Sequence, residues 1–127
     1  MITSPSIQIL LATYNGARFL QEQLDSLFAQ TRQDFTLLVR DDGSTDNTLQ
    51  IVRDYQQRYP DRIRIITDRR KNLGATRNFG CLLEHADADY IFCCDQDDIW
   101  KPDKVEMEMR EMAVLEQADT TVPCLVF

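Results

Sequence analysis

Phe35-Thr36-Leu37-Leu38-Val39-Arg40-Asp41-Asp42-Gly43-Ser44 is an apolar run that breaks on two acids and a turn-forming cluster. It reads as a strand over Phe35–Asp41, stopped by Asp42-Gly43-Ser44. The same event recurs further on. Tyr90-Ile91-Phe92-Cys93-Cys94 reads as a buried strand and stops on Asp95-Gln96-Asp97-Asp98. Towards the N-terminus, Ile7 to Ala12 is an apolar run between Ser-Pro and Tyr-Asn-Gly, read as a buried first strand. Arg62 to Thr67 sets Ile63 and Ile65 around Arg64, as an outer strand with one wetter face would.

Helical spacing fills the intervals. From Ala17 to Gln30, Leu20, Leu24, Leu27 and Phe28 recur with Gln21, Glu22, Gln23 and Asp25 between them. Ser44 and Asp46 offer caps to a second helix with an inward stripe of Leu49, Val52, Tyr55 and Tyr59, ended by Pro60. A third helix runs from Gly74 to about His85 with Phe79, Leu82 and Leu83 apolar, and a fourth starts at Pro102 with Val105, Met109, Met112 and Leu115 inward. Val122 to Phe127 reads as a fifth strand with nothing after it, so the chain is expected to be truncated. Strand and helix in alternation imply right-handed crossovers and an α/β fold, a mostly parallel sheet with helices on both faces.

A chain of 127 residues suits one domain, and 43% apolar with 28% charged residues is ordinary globular composition. Net charge of −7 argues against nucleic acid as a partner, because phosphate counterions are displaced by a basic footprint. Cys81, Cys93, Cys94 and Cys124 show no C-x-x-C spacing. The adjacent pair Cys93-Cys94 should point to opposite faces of a strand, and all four are expected as reduced, buried thiols in a reducing, cytoplasmic compartment. Met1 to Ser6 lacks a basic region followed by an apolar run, and no stretch approaches a membrane span. The expectation is a soluble chain that is not exported.

In an open α/β sheet the strand C-termini share one edge, and ligands settle there where strand order reverses. Thr13-Tyr14-Asn15-Gly16, Asp41-Asp42-Gly43-Ser44 and Asp95-Gln96-Asp97-Asp98 all fall on that edge. Asp95 and Asp97, one residue apart at a strand end, can turn to one ion, and oxygen-only ligands suit Mg²⁺ or Mn²⁺. A solvated acidic turn at the start of the last helix accounts for them as well. Asp42 could accept an N–H of a base and Tyr14 could stack on its face; equally, Asp42-Gly-Ser is a turn and Tyr14 a cover for the sheet edge. Arg77 could reach a phosphate or form a surface ion pair. His85, near a helix C-terminus, reads as structural. No G-x-G-x-x-G or G-x-x-x-x-G-K-[ST] follows the first strand, which excludes a Rossmann dehydrogenase and a P-loop NTPase.

Taken in order, Leu11-Ala-Thr-Tyr-Asn-Gly16, Gln30-Thr31, Arg40 through Thr48, Asn72-Leu-Gly74 with Arg77-Asn78, and Tyr90 through Trp100 resemble family 2 glycosyltransferases of GT-A fold. The Asp-Gln-Asp-Asp-Ile-Trp segment is similar to a bacterial branch of rhamnosyltransferase-like enzymes. The resemblance implies the donor-binding portion of an inverting transferase, with the acceptor half missing. It places the nucleotide-sugar at Ala12, Thr13, Tyr14, Asn15, Asp42, Asn72, Arg77, Asp95 and Gln96, and the divalent cation at Asp95 and Asp97. The implied donor is a dTDP- or UDP-sugar, and the acceptor a saccharide or lipid-linked saccharide in cell-surface polysaccharide synthesis. The family's catalytic base lies C-terminal to the residues present, so none is nominated. Peripheral contact with the inner membrane face and self-association through the edge left at Val122 to Phe127 are further expectations. Two alternatives remain: a non-catalytic nucleotide-sugar-binding remnant, and a receiver-like Mg²⁺-binding signalling domain.

Overall fold

The computed structural model describes residues 5–95 and 97–118. Its elements are β1 (Ile7–Thr13), α1 (Ala17–Phe28), β2 (Phe35–Asp41), α2 (Thr48–Arg58), β3 (Ile63–Ile66), α3 (Ala75–His85), β4 (Tyr90–Cys94) and α4 (Lys104–Ala118). All the pairings are parallel, and the strand order is β3-β2-β1-β4. The chain thus steps outward twice from β1 and then crosses back to its other side. A right-handed crossover that reverses direction must change face, and the helices obey. Leu20, Leu24 and Leu27 of α1, Val52 and Tyr55 of α2, and Val105 and Met109 of α4 share one core with Ile9, Leu11, Leu37, Val39 and Phe92. Leu82 of α3 packs instead on Leu10, Ala12, Leu38 and Ile66, the opposite face. Both central strands are buried on both faces, which is why β1 and β2 read as continuous apolar runs.

The sequence reading needs correction at several points. Ser44 does not cap α2; its hydroxyl serves the loops described below, and Asp46 accepts from Thr48 N at 3.0 Å, the first residue of the helix. Helix α4 begins at Lys104, with Pro102 in the preceding turn, where its carbonyl accepts Thr31 N at 2.7 Å. β4 is not wholly buried: Ile91 and Cys93 are exposed, since α3 packs chiefly over β1 and β2. Cys93 therefore departs from the expected buried thiols, while Cys81 and Cys94 conform and Cys93-Cys94 do face opposite ways. Leu115, assigned inward, is exposed, as is the apolar Leu83 of α3, because no described element lies over them. Cys124 and the expected strand at Val122–Phe127 lie outside the described residues.

One polar contact at the margin of the larger core makes stability depend on pH. The Tyr55 hydroxyl donates to the Asp25 carboxylate on α1. Burial, reinforced by that carboxylate, pushes the phenol from its ordinary 10.0 to about 12. A raised phenol pKa favours the folded state below the unfolded value and is lost as pH climbs through the folded one. Melting temperature is accordingly expected to fall more between pH 10 and 12 in the native chain than in Tyr55→Phe. Parallel alkaline melting curves for the two proteins would show the assignment to be wrong.

Candidate donor and metal site

The order β3-β2-β1-β4 reverses between β1 and β4, so the loops after these strands flank the switch point of the sheet. The loop after β1 is cross-tied to the loop after β2. Thr13 Oγ1 donates to Asp41 Oδ1 at 2.7 Å, and Ser44 donates to Asp41 through its N–H at 2.9 Å and its hydroxyl at 2.6 Å. Asn15 N donates to Ser44 Oγ at 2.8 Å while Asn15 Oδ1 accepts Thr45 N at 2.8 Å. Asn15 is left-handed, with φ 48°, a conformation asparagine tolerates better than most residues. The first amides of α1 are satisfied from across the site: Gly16 N by Thr48 Oγ1 at 2.9 Å and Ala17 N by Asp46 Oδ2 at 3.2 Å. No helix of α1's length can leave those donors bare without cost.

Strand alternation sends the neighbouring acids to different tasks. Asp41 ties the first two loops; Asp42, 3% exposed, ties the third. Its carboxylate accepts Leu73 N at 2.9 Å and Gly74 N at 3.0 Å, and its carbonyl accepts Asn72 N at 3.0 Å. Gly43, at φ 90°, lets the segment pass Lys71 so closely that a Cβ would sit 3.2 Å from the lysine Cβ. Beneath this lies a buried cation that the sequence reading passed over. Arg40, 1% exposed, donates to Asp68 through Nη2 at 2.7 Å and Nε at 3.2 Å, and to Asn78 Oδ1 at 2.8 Å, the Arg70 carbonyl at 2.7 Å and Asp42 at 3.5 Å. Asn78 returns the contact, donating to the carbonyls of Arg40 at 3.1 Å and Thr13 at 3.5 Å. The Arg40 guanidinium holds the Asp68 carboxyl well below the usual carboxylate range, and Asp68 in turn raises Arg40. An arginine directly after the apolar run Leu37-Leu38-Val39 was the available signal, since such a charge is buried only with partners.

Among the expected site residues, Thr13, Asn15 and Asp42 thus spend side-chain groups on the architecture of the rim, and Ala12 is buried under it. Tyr14 is 47% exposed. Asn72 (φ 56°) and Arg77 are exposed in and beyond the third loop. Asp95 and Asp97 are exposed after β4, Asp97 with φ 68°, and Asp98 N closes a turn on the Asp95 carbonyl at 3.2 Å. Gln96 lies outside the described residues. No group of three or more acidic, histidine or cysteine side chains is preassembled for a metal among the described residues. The oxygen-only donor set of Asp95 and Asp97 does fit Mg²⁺ or Mn²⁺, which are commonly held by one or two carboxylates plus water and phosphate oxygens.

A family model described as glycosyl transferase family 2 matches residues 8–124, nearly the whole chain. The chain belongs to glycosyl transferase family 2. That membership removes the signalling-module alternative. This family 2 chain is 39% identical over 120 residues to the dTDP-rhamnosyl transferase RfbG of Shigella flexneri, an alignment covering 92% of the chain and 37% of RfbG. Among solved structures it resembles the mannosyltransferase PcManGT of Pyrobaculum calidifontis, in complex with GDP-Man and Mn²⁺, with TM-score 0.77, 25% identity and coverage of 87% of this chain and 33% of the other. S. aureus TarS 1-349, in complex with UDP, gives TM-score 0.76 and 25% identity over 86% of this chain and 32% of the other. The chain therefore spans about a third of the length of these relatives. The parallel four-stranded sheet with its helices is the GT-A nucleotide-sugar transferase arrangement.

Proposed function

We propose that these residues form the donor-binding portion of an inverting glycosyltransferase that passes a sugar from a nucleoside diphosphate sugar to an acceptor hydroxyl. The observation that carries this is the placement of Tyr14 and the Asp95–Asp97 pair on loops flanking one switch point, with Asp42 beside them on β2's loop. The base stacks on Tyr14 and meets the remaining lone pair of Asp42 Oδ2, the other acceptor positions of that carboxylate being held by the Leu73 and Gly74 amides and Arg40. Ala12 and Thr13 floor the site, and Asn15, Asn72 and Gln96 border it. Arg77 contacts the diphosphate as a charge-assisted donor. Asp95 and Asp97 would hold Mg²⁺ or Mn²⁺, which when bound neutralises charge on the departing diphosphate. The base that deprotonates the acceptor belongs to a part of such enzymes outside these residues. The likeness to RfbG supports a dTDP-sugar and that to TarS with UDP a UDP-sugar next; the acceptor in this reading is a saccharide, free or lipid-linked, in surface polysaccharide synthesis. Free thiols at Cys81, Cys93 and Cys94 suit a reducing cytoplasm, with peripheral contact at the inner membrane face for a lipid-linked acceptor.

Calorimetric titration of UDP and dTDP, with and without Mn²⁺, tests the reading. Mn²⁺ is expected to tighten nucleotide binding, and Asp97→Ala to remove at least about tenfold of that gain, or about 1.4 kcal/mol. A folded chain that binds neither nucleotide, with or without Mn²⁺, would sink it.

A further inference from the structure

We infer that Gln23 is a positioning residue for the acidic loop, and that Gln23, Ser26 and Gln30 of α1 and its C-terminal extension together set the aim of Asp95 and Asp97 toward a divalent cation. The inference rests on the donor-site reading above. Pairing of β4 with β1 ends at Leu11 and Cys94, so the Asp95 carbonyl has no partner in the sheet ladder. Gln23 supplies one, its Nε2 donating to that carbonyl at 2.5 Å and to Cys94 Sγ at 3.3 Å. The Asp95 carbonyl also accepts Asp98 N, which closes the turn where Asp97 adopts φ 68°. Further along α1, Ser26 Oγ accepts Trp100 N at 3.2 Å. Beyond its last turn, Gln30 donates to the Lys101 carbonyl at 2.7 Å and accepts Val105 N at 3.0 Å.

Spacings of three and four residues put these side chains in one line, so a single stretch of chain grips both ends of the loop that carries the two acids. Gln23 is fully buried, yet its Oε1 meets no donor among the described residues. A buried amide with one acceptor unmet is a poor space-filler compared with leucine. What it contributes is the pair of bonds from Nε2, and the stronger of these ends on the backbone of a metal-binding residue.

The test is Mn²⁺ dependence of UDP and dTDP affinity, by calorimetry, in the native chain and in Gln23→Met, which keeps length and bulk but donates nothing. The variant is expected to lose about tenfold of the Mn²⁺-dependent gain, in the range that outer partners of metal ligands command. Its affinity without metal should be unchanged, and the Asp98 amide should exchange faster with solvent. A purely structural glutamine would lower the melting temperature and leave the ratio of affinities with and without Mn²⁺ untouched, which overturns the inference. Should Gln23→Met not fold, Ser26→Ala, which removes the acceptor for Trp100 N, carries the same expectation and the same disproof. A native chain that binds no nucleotide defeats the donor-site reading and this inference together; a native chain with a Mn²⁺ gain that Gln23→Met preserves defeats this inference alone.

Discussion

Replacing Arg40 with methionine is expected to lower folding stability by about 3–5 kcal/mol, the range seen when one partner of a buried ion pair is removed. In a domain of this size each kcal/mol shifts the midpoint by about 4 °C, so melting should move down by roughly 10–20 °C. The cause is what Arg40 leaves behind. Asp68 loses the guanidinium it meets at 2.7 Å, and Asn78, which is buried, loses its donor. Asp68 is partly open to water, with 22% of its side chain exposed, which pulls the expected cost towards the lower figure. Asp68→Asn should cost at least as much as Arg40→Met, because water can solvate the aspartate left by the one but not the buried guanidinium left by the other. A loss below about 1 kcal/mol in Arg40→Met, as for a surface pair, would show that the network is not what holds β2 to the third loop and α3.

The second large effect is expected at Asp42. Asp42→Ala removes the acceptors of Leu73 N and Gly74 N, and withdraws an anion from beside Arg40. Two amides left without partners cost about 2–4 kcal/mol together. The third loop, from Lys71 to Gly74, loses its tether, so nucleotide affinity should fall even where the protein remains folded. Asp42→Asn is nearly as harmful, since its amide nitrogen would present a donor to a backbone donor. Chemical denaturation and nucleotide titration of both variants check this; unchanged affinity in a folded Asp42→Ala would show that the tether does not shape the base site. Because Arg40 and Asp42 meet each other at 3.5 Å, the double variant should lose measurably less than the sum of the two singles.

The alternating pattern of strands and helices was legible because period and punctuation are local properties. Val39-Arg40-Asp41-Asp42-Gly43 announces a strand and its stop in five residues. What lies over an apolar stripe is not local, so Leu115 looked inward on spacing alone and is exposed. The reverse error fell on Gln23: polarity in a helix reads as solvent, yet Gln23, like Gln30 beyond the helix end, is buried against the loop after β4. Only their place in line with the apolar stripe of Leu20, Leu24 and Leu27 carried the signal. Within the candidate site the loops could be located by strand order, but which acid faces which way is decided by the pleat. Asp41 and Asp42 are indistinguishable as chemistry and opposite as geometry.

The bonds that join the first two loops bear on the thermodynamics of ligand capture. Asn15, Asp41, Ser44, Asp46 and Thr48 lock the rim to itself with no ligand involved. A rim already ordered has little conformational entropy left to surrender when a nucleotide arrives. Binding to this part of the molecule should therefore proceed close to the orientational limit for association, with affinity differences among nucleotides expressed in how long each one stays.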